Sequence, residues 1–308
     1  MKTRVILLLI SFYTSVAYCQ VKSIQERLGY PKNAKLLIIH ADDLGISHSE
    51  NIASITAMEK GCVSSASMMV PCPWFPEIAA YAQSNSADIG LHLTLTSEWK
   101  YYKCRPITAV ANVPGLVNKN GFFYSSADSV LQNATAAEVE EEISNQVKRA
   151  LLFGVQPTHL DAHMGTVLYR TDFLKAYIKT GHQFSIPVFI PRQLEALLKV
   201  KLDTMISDKD VIVDNILTAS QEDFKKGMKN FYTNGIKNIK PGLTYLIIHT
   251  AYDNDEMKAI TMDHPDWGAA WRQQDFDFFS GTECAKLLKE NNIYVITWKE
   301  IRDKITRK

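Results

Sequence analysis

"LLIIHADDLGISHSE", Leu36 to Glu50, runs four aliphatic residues into His40 and Ala41, then two adjacent carboxylates, Asp42 and Asp43, before Gly45. An unbroken aliphatic run marks a strand buried on both faces, as in parallel sheets covered by helices. It ends on two acids that repel each other unless a cation or a shared proton stands between them. The stretch therefore poses the fold and the chemistry together. It predicts an α/β architecture with ligand-binding groups at the C-terminal ends of its strands.

The rest of the chain repeats this rhythm. Strands are expected at Lys35–Ala41, Val63–Val70, Ile89–Leu95, Pro157–Met164, Ile186–Ile190, Leu243–His249 and Ile293–Thr297. Helices are expected between them at Glu50–Lys60, Pro76–Gln83, Asp172–Thr180, Glu222–Thr233 and Gly281–Glu290. Thr135 followed by Glu138 forms a capping box that opens a further helix, which Gly154 ends. Repeated strand–helix alternation predicts parallel strands with helices outside, as an α/β barrel or a doubly wound sheet. Two long connections, Glu98–Thr135 and Tyr252–Trp271, interrupt it and carry the aromatic residues of substrate-contacting loops.

The first nineteen residues read as a secretory signal peptide. Lys2 and Arg4 precede an apolar stretch from Val5 to Phe12, and Ala17-Tyr18-Cys19 offers a cleavage site before Gln20. The segment is too short for a membrane span, and Tyr18 disfavours acylation of Cys19 as a lipoprotein. The expected product is one exported domain, residues 20–308, in the periplasm or outside the cell. Removing Lys2 and Arg4 from 34 basic side chains leaves 32 against 33 acids, a net charge of −1. That balance offers no clustered basic surface for nucleic acid or an anionic membrane. Cys62, Cys72, Cys104 and Cys284 match no zinc spacing.

Four strands end in titratable groups: His40 to Asp43, His92, the series His159, Asp161 and His163, and His249. Strand ends of one barrel converge, so together they predict a metal or acid–base site. In a regular strand His159 and His163 stand roughly 13 Å apart on one face, too far to grip one ion. The C-terminal position selects His163, leaving His159 and Asp161 in supporting places. A carboxylate with two imidazoles suits Zn²⁺ and accepts Mg²⁺, Mn²⁺ or Co²⁺. Asp42 and Asp43 leave the chain in different directions, so one can bind the ion while the other takes a proton from water.

"HADDLGISHSENIASITAMEKGCVSSASMMV", "IGLHLTLT" and "QPTHLDAHMG" resemble the YdjC-like carbohydrate deacetylases, of the ChbG/HpnK type in the polysaccharide-deacetylase superfamily. The likeness runs from about Leu36 to Gly165 and continues more loosely through "LIIHTAYD" and "WRQQDFDFF". It implies a distorted (β/α) barrel that hydrolyses N-acetyl groups of amino sugars or oligosaccharides with one divalent ion, Mg²⁺ or Zn²⁺. It implies Asp43, His92 and His163 as metal ligands and Asp42 as the base. His249 becomes the acid for the leaving amine, and Arg272 the group that holds the base carboxylate. The late motif departs from the family's His-Pro-Gly-Tyr, reading His249-Thr250-Ala251-Tyr252. A non-catalytic sugar-binding protein and an esterase or amidase acting on another acyl substrate are the alternatives; a homo-oligomer is compatible with either. Trp74, Trp99, Tyr101, Tyr102, Trp267 and Trp271 can stack on sugar rings or pack the core.

Overall fold

The computed structural model describes residues 22–264 and 266–308, so the signal-peptide segment lies outside the described residues. Its centre is a seven-stranded parallel sheet. The strands are β1 (Lys35–Leu44), β2 (Ser65–Met68), β3 (Ile89–Leu93), β4 (Leu160–Ala162), β5 (Asn215–Leu217), β6 (Gly242–Ile248) and β7 (Ile293–Val295). They lie in the order β4-β3-β2-β1-β6-β5, and β7 pairs with the first residues of β1. Single bridges from Leu160 to Val188 and from Pro191 to Val213 extend the curl beyond both ends. The result is a distorted (β/α) barrel, the expected fold class.

β1 is the central strand because its sequence suits nothing else. Leu36, Leu37, Ile38 and Ile39 are completely buried, with β6 along one edge and β2 and β7 sharing the other. Helices cover the outside through apolar residues at helical spacing. In Ala136–Leu152 the buried set includes Val139, Ile143, Val147 and Ala150, and Thr135 with Glu138 forms the expected capping box. Each fully buried large aliphatic contributes about 1.5–3 kcal/mol. Among the described residues, no helix is long and apolar enough to cross a membrane.

Three departures from expectation have local causes. Ile186–Ile190 makes isolated bridges instead of a ladder, because Pro187 and Pro191 remove backbone donors at both ends. The expected helix Glu222–Thr233 is broken at Gly227, whose φ of +98° separates Gln221–Lys226 from Met228–Lys237. β1 continues past Ala41 to Leu44 by means of a bulge. Ala41 pairs with Ala66 and Leu44 with Met68, so β1 has one residue more than β2 over this span. Asp43 sits in that bulge at φ +68°, a conformation that is uncommon outside glycine. The bulge decides the site, because a regular strand would send Asp42 and Asp43 to opposite faces.

Candidate active site

Asp42 and Asp43 both line one cleft of about 710 Å³, together with His92, His163, His249 and Arg272. All six expected site residues therefore meet in one place. The remaining wall is largely apolar and includes Trp99, Leu168, Phe189, Leu194 and Ile216. Trp267 lines the cleft at φ +65° and meets the His249 ring edge-on. Of the other aromatics considered, Trp271 is core, stacked on Trp267 and Phe224, while Trp74 and Tyr101 are exposed.

Asp43 Oδ1 is buried and accepts no hydrogen bond. It lies 3.4 Å from His92 Nε2 and 3.3 Å from His163 Nδ1, and those two nitrogens are themselves 3.3 Å apart. Behind each histidine stands a carboxylate. His92 Nδ1 lies 2.8 Å from Asp161 Oδ1, and His163 Nε2 lies 3.0 Å from Glu98 Oε2. With both outer nitrogens donating to these acids, loss of the inner protons would leave lone pairs on His92 Nε2 and His163 Nδ1 beside the Asp43 oxygen. In that state three electron-rich atoms face one point and an ion takes the place of the protons; carboxylate–histidine pairs are the usual support of metal ligands. The residues present therefore fit a divalent ion at Asp43, His92 and His163.

The other acids are divided among fixed cations. Arg272 reaches Asp43 Oδ2 at 2.8 Å and Glu50 Oε2 at 2.9 Å. This corrects the expectation that Arg272 holds Asp42. Burial alone would raise the Asp43 carboxyl, but Arg272 and His163 hold it well below the usual carboxylate range. Asp42 is paired instead with His40, whose Nε2 lies 2.9 Å from Asp42 Oδ1 and 2.8 Å from Asp161 Oδ2. Burial pushes His40 down, yet these two acids raise it to about 9, so it is an imidazolium at neutral pH. Burial also pushes His163 down, and Glu98 with Asp43 overcomes it, leaving the ring well above the ordinary histidine value.

His249 follows β6 directly and behaves differently from expectation. Burial drives its imidazole down to about 4, with Asp43 opposing and Arg272 adding to the effect, so it is neutral at neutral pH. Its backbone N–H donates to Asp275 Oδ2 at 2.9 Å. His159 stays below the site, its ring stacked on Trp298 and edge-on to His40. Asp161 takes the supporting place that strand geometry gave it.

Sequence reasoning missed Glu98, Glu50 and Asp275, and assigned His40 no partner. Glu98 follows β3 by five residues, on the same connection as Trp99, which stacks on His163 with centroids 5.6 Å apart. Its proximity to His92 in sequence was the only signal available. Glu50 is a first-turn acid of the helix His48–Lys60, and its place in that turn carries no signal of a distant arginine.

The family model described as YdjC-like protein matches residues 36–290. A carbohydrate deacetylase of Thermus thermophilus is 31% identical over 284 residues, spanning 90% of this chain and 97% of that one. A chitooligosaccharide deacetylase of Serratia marcescens is 36% identical over 135 residues, 42% of this chain and 49% of its own. Among solved structures, an Enterococcus faecalis protein proposed to cleave cellobiose phosphate has a TM-score of 0.72 at 20% identity. That likeness covers 87% of this chain and 99% of the other, and it is a likeness of fold.

Proposed function

This chain belongs to the YdjC-like protein family, and on that premise we propose that it is a metal-dependent carbohydrate deacetylase that removes N-acetyl groups from an amino sugar or oligosaccharide. The observation that carries the reading is the orphaned Asp43 oxygen facing two histidines, each backed by a carboxylate, with a second acid beside it in the cleft. A divalent ion there would polarise the acyl oxygen and make water more acidic. Its donors favour Zn²⁺. Two imidazole nitrogens and one carboxylate oxygen, 3.3–3.4 Å from one another, are donor types of zinc sites.

The chain's own residues divide the work. Asp42, placed by the bulge and paired with the His40 imidazolium, takes the proton from the attacking water. The neutral His249 ring offers a hydrogen bond in the resting site and passes a proton to the departing amine only after gaining one during the reaction. Arg272 fixes Asp43 from the side away from the histidines and also donates to the Trp267 carbonyl at 2.7 Å, which holds that aromatic wall. The protein acts as a single domain exported after cleavage before Gln20, a reading supported by Lys2, Arg4 and the apolar run that follows them.

Acetate release from N-acetylglucosamine oligomers tests this directly. Activity is expected to vanish on chelation and return with Zn²⁺. Turnover unchanged in demonstrably metal-free protein would refute the metal's role. No acetate from any N-acetyl sugar, with sugar binding retained, would replace the enzyme by a binding protein.

A further inference from the structure

The four cysteines of the described residues lie in pairs, although nothing in the acyl chemistry uses them. Cys72 Sγ and Cys104 Sγ are 3.1 Å apart, both buried, on segments 32 residues apart in sequence. Cys62 and Cys284 are likewise each other's neighbours. The 3.1 Å separation is about one ångström beyond the ~2.05 Å of a disulfide bond. A small side-chain rotation closes such a gap.

The first pair stands where a crosslink has a consequence. Cys72 lies between β2 and the helix Phe75–Ser84, and its carbonyl accepts from Phe75. Cys104 closes the turn that begins at Ser97: its N–H donates to Ser97 Oγ at 2.9 Å, and its carbonyl accepts from Phe123. Between Ser97 and Cys104 lie Glu98, which holds His163, and Trp99, which stacks on it. This connection has no strand pairing of its own beyond the Thr96 and Val117 bridges. A covalent tie at Cys104 would fasten it to the segment after β2, where Met69 bonds the Leu44 carbonyl at the end of β1.

We propose that Cys72 and Cys104 form a structural disulfide, made during folding by exchange with a disulfide oxidant, and that it anchors the turn carrying Glu98. One cysteine, as thiolate, attacks the oxidant RSSR to give a mixed disulfide and one RSH. The second cysteine attacks the protein-bound sulfur of that mixed disulfide and releases the other RSH. Two thiol protons leave with the two RSH molecules, the cysteines lose two electrons and RSSR gains them. Both thiols are buried, out of reach of a bulky oxidant in the folded chain, so the bond is set before the core closes.

The test uses the full chain, denatured and reduced, then refolded in a buffer of oxidised and reduced glutathione. Free thiols are blocked under denaturing conditions without reductant, and the digest is mapped by mass spectrometry. The expected result is a Cys72 peptide joined to a Cys104 peptide, released only by reduction. Direct alkylation of both residues, or a bond from Cys72 to Cys62 or Cys284, overturns the proposal. The Cys72→Ser/Cys104→Ser double variant should melt about 5–10 °C below the oxidised protein and match the reduced one. An unchanged Tm overturns the anchoring role.

Discussion

Replacing Glu98 should weaken metal binding without touching a metal ligand. The carboxylate meets His163 Nε2 at 3.1 and 3.0 Å, and its side chain is 16% exposed, so its removal leaves no sealed cavity. A hydrogen bond to a charged partner is worth about 1.5–3 kcal/mol, against about 1 kcal/mol for a neutral pair. Glu98→Ala loses the whole bond and frees the His163 ring to protonate on the wrong nitrogen, which corresponds to a roughly 10–100-fold weaker ion. Glu98→Gln keeps an acceptor and so keeps the tautomer, losing only the charge, roughly a 2–30-fold effect. Competition with a chromogenic chelator measures both dissociation constants on the same scale. Saturating metal should restore most of kcat in each variant, because Asp42 and His249 are untouched. A folded Glu98→Ala protein with wild-type affinity would refute the claim that this carboxylate positions His163.

Asp42→Asn should retain the ion and the fold while turnover falls roughly 10²–10⁴-fold, the usual contribution of a general base; elemental analysis beside kinetics checks both halves. His249→Ala should hurt hydrolysis of an N-acetyl sugar far more than that of an activated aryl acetate, whose leaving group needs no proton. Equal losses on metal-loaded protein would mean that His249 orients the acyl group instead. Asp275 is raised to about 7, by burial against the opposing bonds from Tyr232 and the His249 N–H. An unfolded Asp titrates near 3.9, so between about pH 4 and pH 7 the folded chain binds more protons, and stability falls as pH rises, by at most about 1.4 kcal/mol per unit. Asp275→Asn should lack that slope in chemical denaturation across the same range, and a parallel slope in both proteins would remove Asp275 as its source.

The barrel was legible because Leu36–Ile39 and the strand runs after it carry their own burial signal, and because parallel strands bring their C-terminal ends together. That rule alone placed His92, His163 and His249 beside Asp42 and Asp43. What remained hidden was local conformation and long-range pairing. No periodicity announces that β1 gains an extra residue at Asp43, since the bulge exists only relative to β2. Likewise nothing in the sequence singled out Glu98 and Glu50, because their partners, His163 and Arg272, lie 65 and 222 residues away along the chain. His249 was legible in place but not in charge: its titration depends on burial and on Arg272, which a sequence window does not contain.

The repulsion between the adjacent acids is relieved by separating their partners. Asp43 is turned by its left-handed backbone toward His92 and His163 on one oxygen and Arg272 on the other. Asp42 is left with His40, a cation because Asp42 itself and Asp161 flank its Nε2. Asp161 in turn bonds His92, so one buried carboxylate supports both the base and a ligand. The arrangement explains why the strand carries a histidine two residues before its first acid. A neutral residue at position 40 would leave Asp42 without the charged partner it has at 2.9 Å. The two acids therefore share a strand but not a charge environment, which is what assigns them different work.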